Sequence, residues 1–128
     1  MKRVTGIGGI FIKSRDPERL KDWYKAHLGL DIQDWGGAVF QWNTPENPDP
    51  GGMTIWNVFE ETSEYFSPGK ARFMINYRVD DLDAVLEALR SEDCDVDEKT
   101  EESEFGKFGW VIDPDGNKVE LWEPPLSE

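Results

Sequence analysis

The sequence predicts an α+β fold: two βαβββ modules whose strands form one curved mixed sheet around a cleft, with the helices on the outer face. Three observations carry this. Sliding the 128-residue chain by 65 positions lays Ile10 to Asp16 over Ile75 to Asp81, so one pattern occurs twice. Behind each of those aspartates, apolar residues recur at the helical spacing of three and four. Near the end, Asp113-Pro114-Asp115-Gly116-Asn117 joins two alternating apolar runs, with proline and glycine where a tight hairpin turn needs them.

Each element follows from local chemistry. The first strand runs to about Ser14, and Asp16 then offers a side-chain oxygen to the free N–H groups of a helix start. Pro17 sits in the first turn, where its missing N–H costs nothing. Leu20, Trp23, Tyr24 and Leu28 form that helix's apolar stripe, and Gly29 stops it. Ala38 to Trp42 and Met53 to Phe59 read as strands, linked by Asn43 to Gly52, whose Pro45, Pro48 and Pro50 make an irregular exposed loop. Phe66 to Lys70 has the composition of a connector. The second half repeats the order with a strand before Asp81, a helix carrying Leu82, Val85, Leu86 and Leu89, a weaker stop at Asp93 to Asp95, and the hairpin strands Gly106 to Ile112 and Lys118 to Glu123. Neither unit buries a sheet face alone. Residues 1–128 therefore read as a single domain with an internal repeat, 4–60 and 71–124.

Composition narrows the function. Twenty-seven acidic residues against 14 basic give a formal net charge of -13, which repels phosphate backbones and anionic lipid headgroups, so neither nucleic acid nor membrane is an expected partner. Eight carboxylates, from Glu92 to Glu104, crowd one stretch with only Lys99 among them and read as a solvated face. The lone Cys94 excludes an intramolecular disulfide and a Cys-rich zinc site, which fits a cytoplasmic location. The apolar stretch before Lys13 has too many glycines and no cleavage signature for a secretory signal. His27 suits the end of the first helix, where an imidazole meets the helix C-terminus. Cys94 lies between two aspartates that disfavour a thiolate. Gly6, Gly8 and Gly9 do not form a dinucleotide fingerprint and read as close-packing positions.

The stretch from Asp16-Pro17 through Trp23-Tyr24 to Leu28-Gly29-Leu30, then Val79 to Asp83, and the closing Asp113-Pro114-Asp115-Gly116-Asn117-Lys118-Val119-Glu120-Leu121 resemble the glyoxalase, bleomycin-resistance and extradiol-dioxygenase superfamily, also called vicinal oxygen chelate. The resemblance covers about Val4 to Pro124. It implies a divalent ion in the cleft, held by His, Gln or Glu from the first and last strands of each module. Carried onto this chain, those places hold Gly9, Met74, Trp56 (aligning Gly52 with Gly116) and Glu120. Only Glu120 is a suitable ligand, and one carboxylate does not hold such an ion, so no metal and no cofactor are expected. The resemblance also implies a homodimer.

Strand alternation places Phe11 and Lys13 on the cleft face with Gly9, Asn76 and Arg78 with Met74, Lys118 and Trp122 with Glu120, and Thr54 and Val58 with Trp56. The expected ligand-binding set is therefore Phe11, Trp56, Met74, Asn76, Arg78, Glu120 and Trp122, an aromatic cleft with a few polar groups that suits a small organic molecule. Trp42 and Trp110 fit either the cleft or the core. Arg78 with Lys13 and Asn76 suits an anionic group on the ligand, unless both cations lie at strand ends and face solvent. The catalytic residues, if any, stay unassigned. Two further readings remain open: a metal-dependent lyase, isomerase or dioxygenase with a displaced ligand set including Glu120, and a non-catalytic structural or interaction domain whose cleft is closed by its own tryptophans.

Overall fold

Both helices start where an aspartate side chain replaces a missing backbone partner. In the computed structural model, which describes residues 3–43 and 51–125, Asp16 Oδ1 accepts from Arg19 N at 3.2 Å to open α1 (Pro17–Leu28). Asp81 Oδ1 accepts from Ala84 N at 3.1 Å to open α2 (Leu82–Ser91). Gly29 closes α1 in the left-handed conformation (φ 70°), its N–H donating to Lys25 O. Beyond α2 it is Asp93 that takes positive φ, at 63°. Residues 44–50, most of the proline-bearing loop, lie outside the described residues.

Among the described residues eight strands build one mixed sheet: β1 (Val4–Ser14), β2 (Ala38–Gln41), β3 (Met53–Glu60), β4 (Phe73–Val79), β5 (Asp95–Val96), β6 (Glu101–Ser103), β7 (Gly106–Ile112) and β8 (Lys118–Glu123). Their order is β2-β3-β1-β4-β8-β7-β5, with β6 also on β7. The pairs β1/β3 and β4/β8 are parallel, and the central β1/β4 pair is antiparallel. The α+β class and mixed open sheet are thus as expected. The strand count differs in both halves: among the described residues four strands rather than three follow α2, and two rather than three follow α1. Asp31 to Gly37 instead forms a turn, with Gln33 N donating to Gly37 O and Gly36 N to Gln33 O, while Leu30 and Ile32 pack under α1.

The hairpin between β7 and β8 forms as its composition requires. Asp113 accepts from the backbone of Asp115 and Asn117, bonds that favour its ionised form and pull its pKa below the usual carboxylate range, and Gly116 supplies φ 85°. Two apolar clusters occupy the helix face of the sheet. Under α2 lie Val79, Leu82, Val85, Leu86 and Leu121; under α1 lie Ala38, Trp56 and Val58, flanked by Leu20 and Tyr24. The opposite face is left for the site.

Candidate functional site

Register decides which side chains share the cleft face. Gly9 pairs with Ile55 on one side and Asn76 on the other, and Asn76 pairs with Glu120, so one row crosses the sheet as Ile55, Gly9, Asn76, Glu120. A β-bulge between Ile7 and Gly9 shifts the register there and puts Gly8 on the cleft wall as well. Gly8 has to be glycine: a Cβ on it would stand 2.4 Å from Asn76 Oδ1 and 2.8 Å from the Trp122 ring.

The row borders a cavity of about 790 Å³ between the two halves. The first half contributes Gly8, Phe11, Trp35, Met53 and Ile55. The second contributes Asn76, Glu104, Phe105, Phe108, Glu120 and Trp122. Trp122 lies nearly parallel to Phe108, with centroids 6.4 Å apart, and its indole N–H is fixed on Phe105 O at 2.8 Å. The wall is therefore flat, aromatic and held in place.

Four of the seven residues expected in the site line this cavity: Phe11, Asn76, Glu120 and Trp122. The other three do not, and each has a physical reason. Trp56 is 8% exposed and packs in the cluster under α1 with its ring 4.9 Å from Tyr24, so it is a core residue of the helix face. Aligning Gly52 with Gly116 inverted the phase of β3; the 65-residue offset of the first strands, carried through, sets Ile55 opposite Glu120. Val58 moves to the helix face with Trp56. Met74 pairs with Phe11 but is 1% exposed and lies outside the cavity lining. Arg78 pairs with Gly6 and Trp122 at the other end, where its guanidinium lies 5.5 Å from the Trp42 ring centroid. Because β1 and β4 are antiparallel, Lys13 sits at the far end from Arg78, 5.1 Å from the Phe66 ring centroid. The two cations do not converge on one group.

The deepest part of the cleft face is filled by the chain itself. Phe66, the first residue of the segment read as a connector, and Tyr65 just before it pack against Phe59, which meets Phe11. The Tyr65 hydroxyl donates to Glu120 Oε2, Trp110 Nε1 donates to the same oxygen at 3.0 Å, and Asn76 Nδ2 donates to Oε1 at 2.7 Å. Trp110 thus belongs to the filled end. Burial, reinforced by the Glu120 carboxylate, raises the Tyr65 phenol well above its ordinary pKa. Lys118 donates to Tyr65 O at 2.7 Å and lies over the rings of Tyr65 and Trp110; burial lowers its pKa, opposed by Asp97 and Glu120. Tyr65 was missed because turn-rich surroundings give it no periodicity, and two adjacent aromatics between Glu64 and Ser67 were the one available signal.

The divalent ion that the resemblance implies does not fit these residues. The row where it would bind supplies an isoleucine, a glycine, an amide and one carboxylate, and both oxygens of that carboxylate are taken by protein donors. Among the described residues no group of three or more His, Cys, Asp or Glu is placed to hold a metal ion. Nor is any described helix long and apolar enough to cross a membrane.

Comparison with known proteins agrees with the fold. The chain is similar to methylmalonyl-CoA epimerase from Mycobacterium tuberculosis (TM-score 0.67, 22% identity, 98% of this chain and 91% of that one). It is also similar to a methylmalonyl-CoA epimerase in complex with methylmalonyl-CoA and NH4+ (TM-score 0.69, 19% identity, 98% of each chain). It is similar as well to NAD-dependent benzaldehyde dehydrogenase from Legionella pneumophila (TM-score 0.59, 11% identity, 91% of this chain and 98% of that one). At these identities the likeness is one of fold. No curated protein matches in sequence. The family model described as "Glyoxalase-like domain" matches residues 9–122, nearly the whole span over which strands, helices and hairpin follow the expected order, and the chain belongs to that family, within the vicinal oxygen chelate superfamily.

Proposed function

We propose that this chain binds a small, flat organic molecule in the cleft between its two halves and does so without a divalent ion. The observation that carries the reading is the pairing of an open aromatic cavity, walled by Phe11, Phe108 and Trp122, with a Glu120 whose oxygens are already occupied. A preformed apolar cleft with a few placed polar groups is what small-molecule sites generally look like. The filled end gives some support to a second reading, a domain closed by its own side chains. The open end favours ligand binding, since Phe105 stands 65% exposed at its mouth. A homodimer, carried from the family resemblance, is part of the same proposal and is checked by light scattering.

The test is a titration of EDTA-dialysed protein with naphthylmethanol, followed by quenching of tryptophan fluorescence and repeated with excess manganese or zinc. The expected result is saturable quenching that the ions leave unchanged. Quenching only with an ion present would assign the site to metal-dependent chemistry, and none in any condition would leave the self-closed domain.

A further inference from the structure

The cavity wall holds hydrogen-bond acceptors and no cation. Among the described lining residues the charged groups are Glu104, at the mouth, and Glu120, in the depth. The third polar group, Asn76, is 3% exposed and gives its N–H to Glu120, while its Oδ1 has no partner among the described residues. An orphaned buried acceptor costs about as much as a lost hydrogen bond unless a donor reaches it. It lies over Gly8, where only the missing Cβ leaves room.

The three cations of the cleft face are engaged elsewhere. Lys13 lies over Phe66, Arg78 over Trp42, and Lys118 over Tyr65 and Trp110. Each belongs to the filled end or the outer rim, and none lines the cavity. A carboxylate or phosphate entering it would therefore be desolvated against aromatic rings and two carboxylates with no cation among the described lining residues to receive it. A protonated amine meets the reverse: aromatic faces that attract cations and a carboxylate at the mouth.

We propose that the cleft selects flat apolar ligands bearing a hydrogen-bond donor, a protonated amine above all, and rejects their anionic counterparts. This rests on the reading of the cleft as a small-molecule site. It also separates this chain from the methylmalonyl-CoA epimerase that it resembles in fold, which is in complex with methylmalonyl-CoA.

Three probes of one shape test it: naphthylmethylamine (cationic), naphthylmethanol (neutral donor) and naphthoate (anionic), each titrated by calorimetry at near-physiological salt. The expected order is amine, alcohol, carboxylate, with the amine bound about tenfold more tightly than the carboxylate, or about 1.4 kcal/mol. Glu104→Gln should reduce that preference, whereas Glu87→Gln and Glu98→Gln, which remove acids away from the cavity lining, should leave it. Naphthoate binding as tightly as the amine would overturn the selectivity while leaving the cleft a binding site. A preference reduced equally by Glu87→Gln or Glu98→Gln would overturn it too, by tracing it to net charge. Binding of none of the three would overturn both the selectivity and the small-molecule reading.

Discussion

The two ends of the cleft face are built from the same kinds of side chain and do opposite things. At one end Phe59, Tyr65, Phe66 and Trp110 close on one another and on Glu120. At the other, Phe105, Phe108 and Trp122 stand around open space. The difference lies in what comes after β3: the chain between β3 and β4 turns back over the sheet and inserts two aromatic rings, whereas the β6–β7 turn stops at the rim. Aromatic content alone therefore does not distinguish a core from a site. What distinguishes them is whether a connecting segment returns to fill the face.

Substitutions at the filled end and beneath the helices should cost stability. Phe66 is among the most buried side chains of the chain, and Phe66→Ala should destabilise by about 3–5 kcal/mol in urea unfolding, with no ligand needed to see it. Trp56→Ala should cost a similar amount, because Trp56 packs under α1. A Trp56→Ala protein that keeps its stability but loses naphthylmethanol binding would put Trp56 back on the cleft face and contradict the register of β3.

Tyr65→Phe should cost about 1–3 kcal/mol, since it removes one of the donors to a buried carboxylate. It should also change the pH dependence. The Tyr65 pKa is raised in the folded state, so its contribution is fully present below its unfolded value of about 10 and is lost as pH rises toward the folded value. Wild type should therefore lose stability in alkali faster than Tyr65→Phe does, and equal alkaline slopes would show that the hydroxyl is not coupled to Glu120. The smallest effect on stability belongs to the open end. Phe105→Ala should change unfolding by less than about 0.5 kcal/mol while weakening naphthylmethanol binding severalfold.

How much of this was legible in the sequence depended on distance along the chain. The helix starts at Asp16 and Asp81, the stop at Gly29 and the Asp113 to Asn117 hairpin are local hydrogen-bond and φ requirements, and they appear where the residues ask for them. The first strands of the two halves aligned correctly, so Phe11 and Asn76 fell on the right face. The phase of β3 did not, because it hung on matching Gly52 to Gly116 across loops of different length, and an error of one residue turns a strand over. The separation of Lys13 from Arg78 required the antiparallel register of β1 and β4, and the role of Tyr65 required the path of a turn-rich segment. Both are tertiary facts without a local signature.

The proposed binding mode has the open end taking a flat ligand while Glu120 stays bonded to Tyr65, Trp110 and Asn76. It is tested most directly by a crystal structure of the EDTA-treated protein grown with naphthylmethanol. The ring is expected against Trp122, within reach of Ile55 and Phe105, with Tyr65 still on Glu120. A ring seated away from Trp122, or an ion at Glu120 with Tyr65 displaced, would contradict it.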